Sequence, residues 1–258
     1  MKCPSPFFVW FHHRSGSTHL CSLLDSHPDI ASWGEIFYRG EGGAEADLFT
    51  RSEKTSEAEF LEHLYSFRWD EAGTNLCEAD PEPPLVRAVG FKLKYQQATV
   101  YPAVMQYLRP ERSMKAIHLV RTNLLSALVS AAMIPRLLTQ FRRPNLLTGE
   151  SPQEIERTVI LDPNTIFDDL CSLELRIENA RTQLEGFESL EITYEDLIAD
   201  QQTTCRRVLE FLDVDATQEL VSRYVKIMPR SLREGLSNLD EVAAAIRGTR
   251  FETCLEVE

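Results

Sequence analysis

Apolar residues run without a polar break from Pro6 to Phe11 (PFFVWF) and are rich in β-formers, the pattern of a strand buried on both faces of a parallel sheet. The run stops at His12-His13-Arg14-Ser15-Gly16-Ser17-Thr18, and from His19 to Ser26 apolar positions recur at Leu20, Leu23 and Leu24 with helical spacing. Strand, small polar turn and helix therefore follow one another directly. Ala88 to Leu93, Lys115 to Val120 and Leu190 to Tyr194 read as further strands, and Asn123 to Met133, Phe167 to Leu184 and Thr203 to Leu212 as helices between them. Strands alternating with helices at this spacing predict an α/β fold, a central parallel sheet flanked by helices in three layers.

Two stretches break the pattern. Residues 40–84 carry a Gly-Glu-Gly-Gly run, a predicted helix from Glu57 to Phe67 and an acidic, proline-containing tract from Glu78 to Pro84. Residues 136–163 contain the basic pair Arg142-Arg143 followed by Pro144 and Asn145. Both are read as irregular insertions in one domain spanning residues 1–258, because nothing along the chain has the composition of a linker.

Composition narrows the partners. With 43% hydrophobic and 26% charged residues the chain has ordinary globular proportions, and no apolar run approaches the roughly 20 residues that cross a bilayer. No secretory signal is evident at the N-terminus, so a cytoplasmic protein without a membrane span is expected. A formal net charge of −13 disfavours nucleic acid as a partner, since its phosphate backbone needs a basic field. Any anion site must be made locally. The 6 cysteines are scattered without zinc spacing, and free thiols are expected.

The Arg14-to-His19 turn suits such a site. Backbone N–H groups at a helix start can point at one anion, Gly16 permits close approach, Ser15, Ser17 and Thr18 add hydroxyl donors, and Arg14 adds a forked cation. As an isolated string it suits a helix cap equally. The Gly-x-x-x-x-Gly-Lys-Ser/Thr motif is absent, which disfavours a magnesium-dependent triphosphatase and favours a metal-free phosphosulfate donor. A second anion site is suggested by Arg121 at the end of the Lys115 strand, with Ser126 and Ser130 four apart on one face of the next helix. Two phosphate sites point to a bisphosphorylated nucleotide, although Arg121 also suits a surface ion pair and Ser130 a helix contact.

Residues 7–37 (FFVWFHHRSGSTHLCSLLDSHPDIASWGEIF), AVGFKLKYQQ from Ala88, HLVRTNLLSALVS from His118, ITYEDL from Ile192 and KIMPRSLREGLSNLDEVAAAIRGT from Lys226 resemble, in this order, the motifs of the sulfotransferases that use 3′-phosphoadenosine 5′-phosphosulfate (PAPS), in particular the bacterial carbohydrate type. The resemblance implies a fold like that of P-loop nucleotide-binding proteins and in-line transfer to a carbohydrate or other small hydroxylated acceptor, leaving adenosine 3′,5′-bisphosphate (PAP). It implies that Arg14, Ser15, Gly16, Ser17, Thr18 and His19 hold the 5′-phosphosulfate and that Arg121 and Ser130 hold the 3′-phosphate. The histidine that serves as base in cytosolic animal relatives has no counterpart between Gly90 and Tyr95, and Glu35 matches the glutamate base of the trehalose type. Arg14 would then stabilise charge on the bridging oxygen, and aromatic neighbours would raise the Glu35 pKa toward neutrality.

The roles of His12, His13, Lys92 and Lys94 are left open, as is the choice among Lys226, Arg230 and Arg233 for a C-terminal contact to the nucleotide. Tyr194-Glu195-Asp196-Leu197 is assigned to structure. The apolar C-terminal helices suit pairing of two copies as well as internal packing. A P-loop-like kinase or hydrolase needing magnesium-ATP, and a catalytically silent nucleotide-binding protein, are the alternative readings.

Overall fold

A computed structural model describes residues 4–37, 49, 52, 56–66, 86–109, 111, 113–142, 145–150, 158–225 and 231–256. In chain order the elements are β1 (Ser5–Phe11), α1 (Ser17–Asp25), β2 (Ile30–Trp33), α2 (Glu57–Ser66), β3 (Ala88–Lys94), α3 (Tyr95–Val100), α4 (Pro102–Tyr107), β4 (Lys115–Val120), α5 (Leu124–Ala132), α6 (Ile134–Phe141), β5 (Leu146–Leu147), α7 (Ile166–Gln183), β6 (Glu188–Thr193), α8 (Tyr194–Ala199), α9 (Gln201–Phe211), β7 (Tyr224–Val225), α10 (Leu232–Gly235) and α11 (Leu239–Ile246), followed by a 3₁₀ turn at Glu252–Leu255.

The main sheet is parallel throughout, in the order β2-β3-β1-β4-β6. The predicted α/β class, with a central parallel sheet and helices around it, is what the structure has. β1 lies at the centre, and its unbroken apolar run is explained by its two buried faces. Phe8 and Trp10 join one core with Trp33, Phe37, Phe91 and Leu93, while Phe7, Val9 and Phe11 join the other with Leu20, Leu23, Ile117 and Leu209. Each such side chain contributes roughly 1.5–3 kcal/mol by leaving water. Gly90 is required by the packing of β3 on β1, because a Cβ there would lie 2.5 Å from the Phe7 carbonyl oxygen.

Several elements differ from expectation. The first helix starts at Ser17, not His19, which brings Ser17 and Thr18 into its first turn. β2 was not predicted: Ile-Ala-Ser-Trp is short, and its strand state comes from pairing with β3. The stretch from 136 is not irregular at its start, since α6 runs through it to Phe141 and β5 pairs antiparallel with β7. The predicted helix within 40–84 is present as α2, whereas the tract from Glu78 to Pro84 lies outside the described residues.

Among the described residues, one segment, Leu124–Phe141, is long and apolar enough by length and composition to cross a membrane. In the fold it is two helices, broken at Met133 ahead of Pro135, and Leu125, Val129, Met133 and Leu137 are fully buried in the core. Cys21, Cys171, Cys205 and Cys254 are free thiols.

Candidate active site

A parallel sheet sends all its strands' carboxyl ends to one edge, and ligands of open α/β sheets bind there, where strand order reverses. β1 is that point: β3 lies on one side of it and β4 on the other. The residues that follow β1, β2, β3, β4 and β6 are, respectively, the Arg14-to-Thr18 turn, Glu35, Tyr95 to Gln97, Arg121 and Tyr194. The topology alone therefore gathers the candidate residues on one edge.

The turn after β1 uses left-handed backbone twice, at Arg14 (φ 64°) and at Gly16 (φ 90°), the residue before α1. Gly16 meets the ring of Tyr194, which a Cβ would approach to 2.4 Å. The same ring lies under the Arg121 guanidinium, whose carbon is 4.6 Å from the ring centroid. Arg121 is buried, donates from Nη1 to the Arg14 carbonyl at 3.4 Å, and among the described residues its Nε has no partner; Ser15 Oγ is likewise buried without one there. Buried donors are almost always satisfied, so two orphaned ones at a phosphate turn mark where an anion's oxygens fit.

Arg14 does not stand apart from the second half of the site. Its Nε donates to Ser130 Oγ at 2.9 Å and its Nη1 to Asn145 Oδ1 at 3.4 Å, while Asn145 Nδ2 donates to Thr18 Oγ1 at 3.4 Å. Ser130, expected beside Arg121, is thus bonded to Arg14. Burial, and then the neighbouring Arg121 charge, push the Arg14 pKa down to about 10, which leaves it cationic at neutral pH.

Glu35 is the centre of a second cluster. Its Oε2 lies 2.6 Å from Lys94 Nζ and 3.3 Å from Gln97 Nε2, and its Oε1 lies 3.5 Å from Lys92 Nζ. Lys92 is buried and also donates to Thr18 Oγ1 at 3.0 Å, so it is not a solvated strand-end lysine. One ammonium group joins the carboxylate to the phosphate turn. The expected rise of the Glu35 pKa is overturned: burial pushes it up, but Lys92 and Lys94 together outweigh burial and hold it below the usual carboxylate range. Four cations, Arg14, Arg121, Lys92 and Lys94, thus converge with one carboxylate in a chain of net charge −13. The local basic field that the composition required is present.

The histidines have separate places. His12 is buried; its Nδ1 pairs with the His13 carbonyl at 2.9 Å and its Nε2 accepts the Arg121 backbone N–H at 3.1 Å, which makes it a neutral tie between the ends of β1 and β4. Burial, with Arg121 nearby, pushes its pKa down to about 4. His13 sits on the rim; desolvation, then Lys94 and Arg14, push it down to about 4. His19 Nδ1 is 3.0 Å from Ser222 Oγ, just before β7, and burial lowers its pKa. The Tyr194-to-Leu197 motif has its expected structural part, since the Glu195 carboxylate accepts the N–H groups of Thr122 and Asn123 at 3.0 Å each, capping α5. Tyr194 itself lines the site, which the sequence reading missed. Arg233 is exposed and pairs with Asp240 at 3.5 Å; Lys226 and Arg230 lie outside the described residues. Asn145 and Gln97 were also missed. Gln97 had a signal, a glutamine three residues after a helix-preceding position, whereas Asn145 had none.

No family model matches the chain. Over its whole length the chain is 25% identical to Nodulation protein H of Rhizobium tropici, a sulfotransferase, covering 96% of that protein. The chain is thus similar over its full length to a sulfotransferase. Solved sulfotransferases share lower similarity with it. One from Alicyclobacillus acidocaldarius is 18% identical with a TM-score of 0.45, covering 100% of this chain and 98% of that one. A mouse sulfotransferase complexed with PAP is 14% identical with a TM-score of 0.41, covering 98% of this chain and 88% of that one. The unsatisfied donors and the surplus of cations at this edge suit an anionic, phosphate-bearing ligand.

Proposed function

We propose that this chain is a PAPS-dependent sulfotransferase, that it transfers the sulfuryl group of PAPS in line, without a metal, to a hydroxyl of a carbohydrate or other small hydroxylated acceptor, and that Glu35 is the general base. The observation that carries the reading is Lys92, whose Nζ lies 3.0 Å from Thr18 Oγ1 on the phosphate turn and 3.5 Å from Glu35 Oε1. A carboxylate held that near an anion turn is placed to draw the proton from a hydroxyl attacking a group bound there. Because the lysines keep Glu35 ionised at neutral pH, it is ready to accept a proton but is a weak base, so proton transfer accompanies formation of the bond to sulfur rather than preceding it. Arg14, Lys92 and the N–H groups of the turn stabilise the negative charge that builds on the leaving phosphate. The carbohydrate acceptor rests on the motif order shared with the bacterial carbohydrate type.

Calorimetry with PAP, with and without magnesium and alongside ATP, tests the donor half. Magnesium-independent PAP binding, weakened by about 2 kcal/mol in Arg121→Ala, is expected for loss of a charge-assisted contact. A preference for magnesium-ATP would overturn the reading. The base is tested by Glu35→Gln: turnover with labelled PAPS and an acceptor panel should fall by 100-fold or more on the order-of-magnitude scale of general-base loss, with PAP binding kept.

A further inference from the structure

The two oxygens of Glu35 have different surroundings. Oε2 is held by Lys94 Nζ at 2.6 Å and by Gln97 Nε2 at 3.3 Å, whereas Oε1 faces Lys92 Nζ at 3.5 Å. Gln97 is buried, and its Oε1 accepts the Lys94 backbone N–H at 2.8 Å. Only the carbonyl end of a carboxamide can accept that N–H, so the amide nitrogen is the end that meets Glu35. A single side chain thus fixes both partners of the Lys94–Glu35 pair, one through its backbone and one through its carboxylate.

We infer that Gln97 is a positioning residue for Glu35: its carboxamide holds Oε2 against Lys94 and leaves Oε1, on the Lys92 side, as the oxygen that receives the acceptor's proton. The inference rests on Glu35 being the base. In the step it serves, the acceptor oxygen bonds to sulfur, the bond from sulfur to the bridging oxygen breaks with its electron pair leaving on PAP, and the acceptor's proton ends on Glu35 Oε1.

Among the described residues, the charged or titratable groups that act on Glu35 are Lys92 and Lys94 from β3, His13 from the turn after β1 and the Cys21 thiol from α1. Gln97 is the neutral donor among them, and an N–H aimed at a carboxylate favours its ionised form. Gln97 also caps α3, so the test must separate capping from positioning. Gln97→Glu does so: glutamate retains an oxygen for the Lys94 N–H and is favoured at this position, but it presents a second carboxylate to Glu35 in place of a donor. Gln97→Met removes both contacts.

The experiment is a ¹³C NMR titration of the full chain labelled at glutamate Cδ, with the Glu35 resonance assigned from Glu35→Gln and Lys94→Met as the control known to remove a charge from the pair. The Glu35 midpoint should move to higher pH in Gln97→Met and further in Gln97→Glu, while the melting temperature of Gln97→Glu stays near that of the wild type. A wild-type midpoint in Gln97→Glu overturns the inference, whatever Gln97→Met does to folding. Failure of the base reading appears elsewhere, as undiminished turnover in Glu35→Gln, so the two cannot be confused.

Discussion

Arg14 Nε donates to Ser130 Oγ at 2.9 Å across 116 residues of chain. The turn after β1 and the helix after β4, which the sequence presents as two separate anion sites, are therefore joined by one guanidinium that also reaches Asn145. A fork of donors is needed to hold two partners in different directions, and an ammonium cannot reproduce it. Arg14→Lys should keep the charge and the fold but lose this link, lowering turnover by about tenfold or more on the scale of a mispositioned catalytic contact. Steady-state kinetics beside a thermal melt would check it; unchanged turnover would reduce Arg14 to a point charge.

Lys92 connects the carboxylate with the phosphate turn. Lys92→Met should cost turnover by about a hundredfold, the scale of losing one preorganised donor at developing charge. The acid limb of the pH–rate profile should also move upward, because one of the two lysines that hold the Glu35 pKa down is gone. A profile lowered in height yet unmoved in position would separate Lys92 from Glu35.

Gly16 has φ 90° and lies under Tyr194 with no room for a Cβ. Gly16→Ala meets two penalties, a left-handed backbone costing roughly 1 kcal/mol for an L-residue and displacement of the Tyr194 ring from beneath Arg121. Urea unfolding should show a loss above 1 kcal/mol, about what the backbone alone accounts for, and calorimetry should show weakened PAP binding. Gly16→Ala with Tyr194→Ala should recover only the steric part.

His12 is neutral in the folded protein and its pKa is lowered from 6.5 to about 4. Between those values the unfolded chain binds the proton and the folded one does not, so stability is full above about pH 6.5 and declines as pH falls toward about 4. The span corresponds to roughly 3 kcal/mol for this buried group. Melting curves across that window should slope downward on acidification, and His12→Asn should flatten the slope while lowering stability at neutral pH.

What the sequence made legible is what short stretches of chain decide. β1 announces itself because both of its faces are buried, and the phosphate turn because strand, turn and helix are contiguous. β2 did not, since Ile30 to Trp33 is a strand only by virtue of β3 beside it. The pattern showed Lys92 and Lys94 on one face of a strand but not what they meet, because Glu35 arrives from the end of a different strand. The Glu35 pKa was misjudged for the same reason: aromatic Trp33 and Phe37 are its neighbours in sequence, the lysines its neighbours in space. Asn145 was invisible because its place depends on the pairing of β5 with β7.

The central pairing of β1 with β3 and β4 also bears on how activity is acquired. Both pairings are parallel and distant along the chain, a topology of high contact order whose loop closures must be made before the contacts reward them. Lys92 reaches Thr18, and His12 reaches the Arg121 backbone, only once those strands are aligned. Nucleotide affinity should therefore arise late in refolding, together with the burial of Trp10, and a partly folded chain should hold secondary structure while remaining blind to its donor.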